Sequence, residues 1–106
     1  MTDDPMARAA YDQVANGLAL SAGAEVTRMF GMPTVKYRGK VIAGYHQGAM
    51  AFKLDGEPHA RAMGLAGASV FDPSGMGRPM KKWVLVPFEH ADLWPELAEA
   101  AKESVG

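Results

Sequence analysis

The spacing of apolar residues changes period along this 106-residue chain. Near the N-terminus Ala7, Ala10, Tyr11, Val14 and Leu18 recur at the interval that lines up one face of a helix. Asp4 is a good N-cap, and Pro5 suits the first helical position because its missing N–H would have no partner there. Gly17 weakens the last turns and Gly23 supplies a stop.

From Glu25 to Leu54 the period drops to two, and the segment reads as a meander of short antiparallel strands. Val35 and Tyr37 alternate with Thr34 and Lys36. Val41, Ala43 and Tyr45 alternate with Ile42, Gly44 and His46, and Met50, Phe52 and Leu54 alternate with Ala51 and Lys53. Gln47-Gly48 is a two-residue turn that sets Tyr45 beside Met50 and Ala43 beside Phe52. A two-residue turn at Arg38-Gly39 would place Lys36 opposite Val41, on the apolar face. A three-residue loop of Arg38, Gly39 and Lys40 instead pairs Tyr37 with Val41 and Val35 with Ala43. It keeps every large apolar residue but Ile42 on one side, so it is the expected arrangement.

Further along, Asp55-Gly56-Glu57-Pro58 is turn chemistry, and His59 to Leu65 can form a short helix ended by Gly64 or Gly67. Ser69 to Phe71 fits a short strand. Asp72 to Pro79 is a loop punctuated by Pro73, Gly75 and Gly77. Lys81 to Val86 fits a further strand, with Trp83 and Leu85 on one face and Pro87 ending it. Asp92 or His90 caps a final helix with Pro95 in its first turn and Leu93, Trp94, Leu97, Ala98 and Ala101 as its inner stripe. The expectation is one α+β domain over residues 1–106, an antiparallel sheet packed by the N-terminal and C-terminal helices.

Composition narrows the class without naming a ligand. A chain of this length buries roughly 65% of its unfolded surface in one core, and its 48% apolar and 22% charged residues are ordinary globular usage. No apolar run approaches the roughly 20 residues that span a bilayer. The start, Thr2-Asp3-Asp4-Pro5, lacks the layout of a signal peptide. With no cysteine there are no disulfides, thiol nucleophiles or thiolate metal sites. A cytoplasmic location is expected. The net charge of −1 conceals a segregation: residues 25–86 hold nine basic side chains against four acidic ones, whereas residues 87–106 hold five acidic ones against Lys102. Such a split steers an anionic partner toward the sheet and its loops.

Candidate chemistry is sparse. His46, His59 and His90 are far apart and lack the spacing of a metal site, so no metal or other cofactor is expected. Ser21, Ser69, Ser74 and Ser104 sit in no nucleophile elbow. Glu96, Glu99 and Glu103 fall on the polar face of the last helix rather than converging in a cleft. Ser74-Gly75-Met76-Gly77-Arg78 is glycine-rich, yet Pro79 and a strand follow it, not the helix a phosphate cradle needs. No catalytic residue is assigned, and an enzyme is not the expectation. Lys36, Arg38, Lys40 and Lys53 fall on the outer sheet face or hairpin tip, with Arg78, Lys81 and Lys82 nearby, and such residues can track phosphates. The outer face shows few aromatics for stacking. Met29, Met32, Met50, Met63, Met76 and Met80 gather around the sheet, chiefly as core filler.

Two segments carry a family likeness. Arg28-Met29-Phe30-Gly31 leads into the hairpin at Tyr37-Arg38-Gly39-Lys40, and Gly77-Arg78-Pro79-Met80 precedes a strand containing Trp83. With a leading and a closing helix, residues 8–102 resemble the N-terminal domain of the TfoX/Sxy family, and more loosely the YjbR-like proteins. The resemblance implies a small α+β domain without established chemistry. The family is named for regulators of natural competence that act on transcription and carry a second, C-terminal domain; the YjbR-like relatives have been suggested to bind DNA. Carried over, the motif positions are Met29, Phe30, Gly31, Gly77, Arg78 and Pro79. Three readings result. One is a non-catalytic interaction domain that takes a protein or small ligand at Met76, Gly77, Arg78 and Met80. Another is a DNA-binding module using Lys36, Arg38, Lys40, Lys53, Lys81 and Lys82. The third is an enzyme whose site the sequence does not mark, which a deep pocket with convergent polar groups would support. Exposed strand edges can also pair two chains into a homodimer.

Overall fold

A computed structural model describes residues 5–29, 32–71 and 80–105. Helix α1, Pro5–Ala22, buries Ala7, Tyr11, Val14, Ala15 and Leu18. Gly23, at φ 71°, ends it where an L side chain would be strained. The cap expected at Asp4 lies outside the described residues.

Six strands follow: β1 (Glu25–Met29), β2 (Met32–Tyr37), β3 (Lys40–His46), β4 (Ala49–Lys53), β5 (Ser69–Phe71) and β6 (Met80–Pro87). They form one sheet in the order β1-β2-β3-β4-β6-β5, antiparallel at every junction. The α+β architecture is therefore as the sequence predicts, with one strand more at the start. Strand β1 and the first half of β2 are obscured in the sequence by Pro33, which cannot donate to a ladder. The structure tolerates it because β2 pairs with β3 only as far as Thr34↔Gly44, leaving Pro33 opposite Arg28 of β1 alone.

The first hairpin corrects the expected loop. Its turn has two residues, not three: Tyr37 pairs with Lys40, and Arg38 and Gly39 both take positive φ, 53° and 79°. That geometry matches the twist of the flanking strands. Lys36 does pair with Val41, yet Val35 still pairs with Ala43, because the register shifts between Val35 and Lys36. The odd residue sits in β3 as a bulge, not in the loop. Ile42, expected on the outer face, is completely buried and joins the core cluster. The second hairpin turns at Gln47-Gly48 and pairs Tyr45 with Met50 and Ala43 with Phe52, as predicted.

Helix α2, Gly56–Met63, starts earlier than His59 because Asp55 is its N-cap, accepting a hydrogen bond from the Gly56 N–H at 3.0 Å. Pro58 then falls in the first turn, where an N–H has no intrahelical partner. Neither Asp92 nor His90 caps the last helix. A 3₁₀ helix, Phe88–Leu93, runs directly into helix α3, Trp94–Val105, with Trp94 already at φ −56°. The His90 ring instead donates from Nε2 to the Ala66 carbonyl at 2.8 Å, tying the turn after α2 to this segment.

One core cluster joins Tyr11 and Leu18 of α1, Ala62 of α2 and Trp94 and Leu97 of α3 to Val35, Ala43, Tyr45, Phe52, Val84 and Val86 of the sheet. All three helices therefore cover the same face. The opposite face is built differently. Its centre is small, with Gly44, Ala49 and Ala51 buried, and larger side chains fill the space above. The Met32 Cε lies 2.5 Å from where a Cβ on Gly44 would stand. The Phe71 ring reaches His46 edge-on at 5.2 Å, although β4 and β6 separate their strands. Strands lie about 4.8 Å apart, so the end of β5 must fold back over this face, which the register shift between Val70 and Phe71 permits.

Candidate nucleic-acid interface

The register brings the predicted cations to one end of the sheet. Lys36 and Arg38 end β2, Lys40 begins β3, Lys53 ends β4 and Lys82 lies near the start of β6, and antiparallel pairing makes those ends coincide. Lys53 sits directly across from Trp83, and Lys36 across from Glu25. The strand position of Lys81 is at the same end; its side chain lies outside the described residues.

Alternation assigns each to a side. Val35, Phe52 and Val84 point to the helices, so Lys36, Lys53 and Trp83 point away from them. Trp83 and Leu85 share a face, as predicted, and neither belongs to the helix-side core. Both are half-buried. Lys40, opposite Tyr37, and Lys82, two residues before Val84, fall on the helix side. Arg38 occupies the turn and lies over the Tyr37 ring at 5.4 Å.

Ion pairing separates this group from other cations. Arg8 holds Asp12 at 3.2 Å, Arg61 holds Glu96 at 3.3 Å and Lys102 holds Glu99 at 2.8 Å. The hydrogen bond to Glu99 raises the Lys102 pKa, since it favours the ammonium form. Among the described residues Lys36, Lys40, Lys53 and Lys82 enter no salt bridge. The nearby acids are Glu25 at the start of β1, Asp55 and Glu57 at the start of α2, and Glu103 near the end of α3. Ser104 of α3 donates to the Lys53 carbonyl at 3.2 Å, placing the C-terminal end of α3 here. Asp55 is engaged as a cap. Three of those acids thus belong to the helix layer, and among the described residues Glu25 alone shares the open face with Lys36 and Lys53.

The second predicted site is not described. Met76, Gly77, Arg78 and Pro79 lie outside the described residues, as do Phe30 and Gly31. Met29 and Met80 are placed in strands, without their side chains. Elsewhere, α1 and the α3 region enclose an open groove of about 280 Å³, lined mainly by Ala10, Val14, Gly17, Leu18, Ala91 and Ala98. Among the described residues no group of three His, Asp or Glu side chains could hold a metal ion, and no helix is long and apolar enough to cross a membrane.

What sequence reading missed is the aromatic on the open face. The signal was present: Val84 and Val86, at alternate positions, are the better core residues, which leaves Trp83 outside beside two lysines. Comparison with family models, curated proteins and solved structures gives no match.

Proposed function

We propose that this chain is a non-catalytic, cytoplasmic binding domain that takes nucleic acid at the basic end of its sheet. The observation that carries the reading is the gathering of Lys36, Lys40, Lys53 and Lys82, without ion pairs among the described residues, with Arg38 at one end of the strands. Cations not tied into ion pairs stay available to phosphate, and each phosphate contact releases a counterion. The zero cysteine count suits the cytoplasm. The likeness to the TfoX/Sxy N-terminal domain agrees with a regulatory binding role, and rests on the motif residues alone.

The test is a titration of labelled DNA at several salt concentrations. Five contacts give a plot of log affinity against log salt with a slope of about −4.5 on a duplex. Replacing Lys36, Lys53 and Lys82 with Gln is expected to flatten that slope by about 1 per residue. Absence of binding at low salt, or an affinity indifferent to salt, overturns the reading.

A further inference from the structure

Resting on that reading, we infer that the open face of the sheet binds single-stranded nucleic acid by stacking an unpaired base on Trp83, with Lys53 and Lys36 holding successive phosphates to one side of it.

Three features point to a single strand. Trp83 is an aromatic on the side of the sheet opposite the helices, and it is half-buried and absent from the helix-side core. Lys53 stands directly opposite on β4. Lys36 follows on β2 with β3 between, on the order of 10 Å from Lys53 at normal strand spacing. Two cations followed by an aromatic along one row, Lys36, Lys53 and then Trp83, is an arrangement that can track the phosphates of a strand and stack a base at its end.

The geometry also disfavours a duplex. A paired base hides its π-face in the stack, and groove reading needs an element that projects. Here the β2–β3 turn is only Arg38-Gly39, and among the described residues no helix lies on this face. The acids of α2 and α3 sit in the other layer, so the repulsion they impose falls on a partner approaching from the helix side. Glu25, at the far end of the row beside Lys36, limits the strand to the Lys36–Trp83 stretch.

Intrinsic fluorescence makes the test direct. The chain has two tryptophans. Trp94 is 0% exposed and reports only the core, whereas Trp83 reports the proposed site. The intact chain is titrated with labelled oligothymidylate of about 15 nucleotides, near the upper size of one such site, and with a duplex of equal length. The expected result is a preference of tenfold or more for the single strand, with quenching of the Trp83 emission. Trp83→Phe is expected to abolish the quenching while retaining most affinity. Trp83→Ala is expected to weaken the single strand by roughly tenfold or more and leave the duplex within about twofold. The Trp94 emission of each variant verifies its fold. Salt-dependent binding with equal affinity for both nucleic acids, and no quenching, overturns this inference and leaves the basic end standing. Absence of binding to either overturns both.

Discussion

The Tyr11 ring is enclosed in the core at 1% exposure, 5.6 Å from the Tyr45 ring, and among the described residues its hydroxyl has no hydrogen-bond partner. The ring stabilises by burial while the hydroxyl opposes it, since an unmet buried polar group costs about 1–3 kcal/mol. Burial pushes the phenol up from 10.0 to about 12, against the pull of the nearby Arg8 charge and with a smaller push from Asp12. The native state therefore prefers the protonated form. The stability this contributes is whole below the unfolded value near 10 and is lost as the pH rises to about 12, at about 1.4 kcal/mol per pH unit. Tyr11→Phe keeps the ring and removes the hydroxyl. It is expected to raise stability at neutral pH by about 1 kcal/mol and to lack the alkaline decline of the parent. Urea unfolding of both proteins at neutral pH and across that alkaline window decides the matter; equal alkaline slopes would show that Tyr11 does not titrate as described.

At the scale of elements, the bulge at Ile42 explains what the sequence reveals of this sheet and what it withholds. Helical stripes are legible because several residues vote for one face, and Tyr11, Leu18, Trp94 and Leu97 all fall inward. The pairing of Val35 with Ala43 is legible for the same reason. The turn that produces it is not, because a longer loop and a tight turn followed by a bulge deliver the same pair. Pro33 conceals β1 by weakening the only strand beside it. The site was half legible: alternation and charge select Lys36 and Lys53, whereas the neighbour of Lys53 on β6 depends on a strand distant in sequence. Gly44 marks where the open face is tight, since an added Cβ would meet the Met32 tip at 2.5 Å and the Pro33 carbonyl oxygen at 3.3 Å. Gly44→Ala is expected to destabilise by about 1–2 kcal/mol. The same change made on a Met32→Ala background should cost less, a coupling that a double-mutant cycle measures. Strict additivity would mean that Met32 does not fill the space above Gly44.

For the whole molecule, the single layer of helices makes the two ends of strand order unequal to the middle. Strands β3 and β4 have neighbours on both sides and hold Ala43, Met50 and Phe52 at 0% exposure, while β1 and β5 are edges and Val26 of β1 is 47% exposed. Backbone amides open most readily where few packed contacts must be broken. Hydrogen exchange is thus expected to be slowest in β3 and β4, faster in β1 and fastest in the short β5. Mass spectrometry of deuterium uptake checks the order, and an edge strand as protected as β4 would indicate that another chain covers it.

The position of β6 between β4 and β5 has a consequence for how the chain is born. Strand β4 gains its outer neighbour, and β5 its sole neighbour, only when Met80–Pro87 has been synthesised. Trp94 and Leu97, which close the interior, come later still. A nascent polypeptide holding only the first four strands would display Met50 and Phe52 along an unsealed margin, the kind of surface that chaperones and self-association compete for. Its vulnerable interval falls during translation, before the last helix leaves the ribosome.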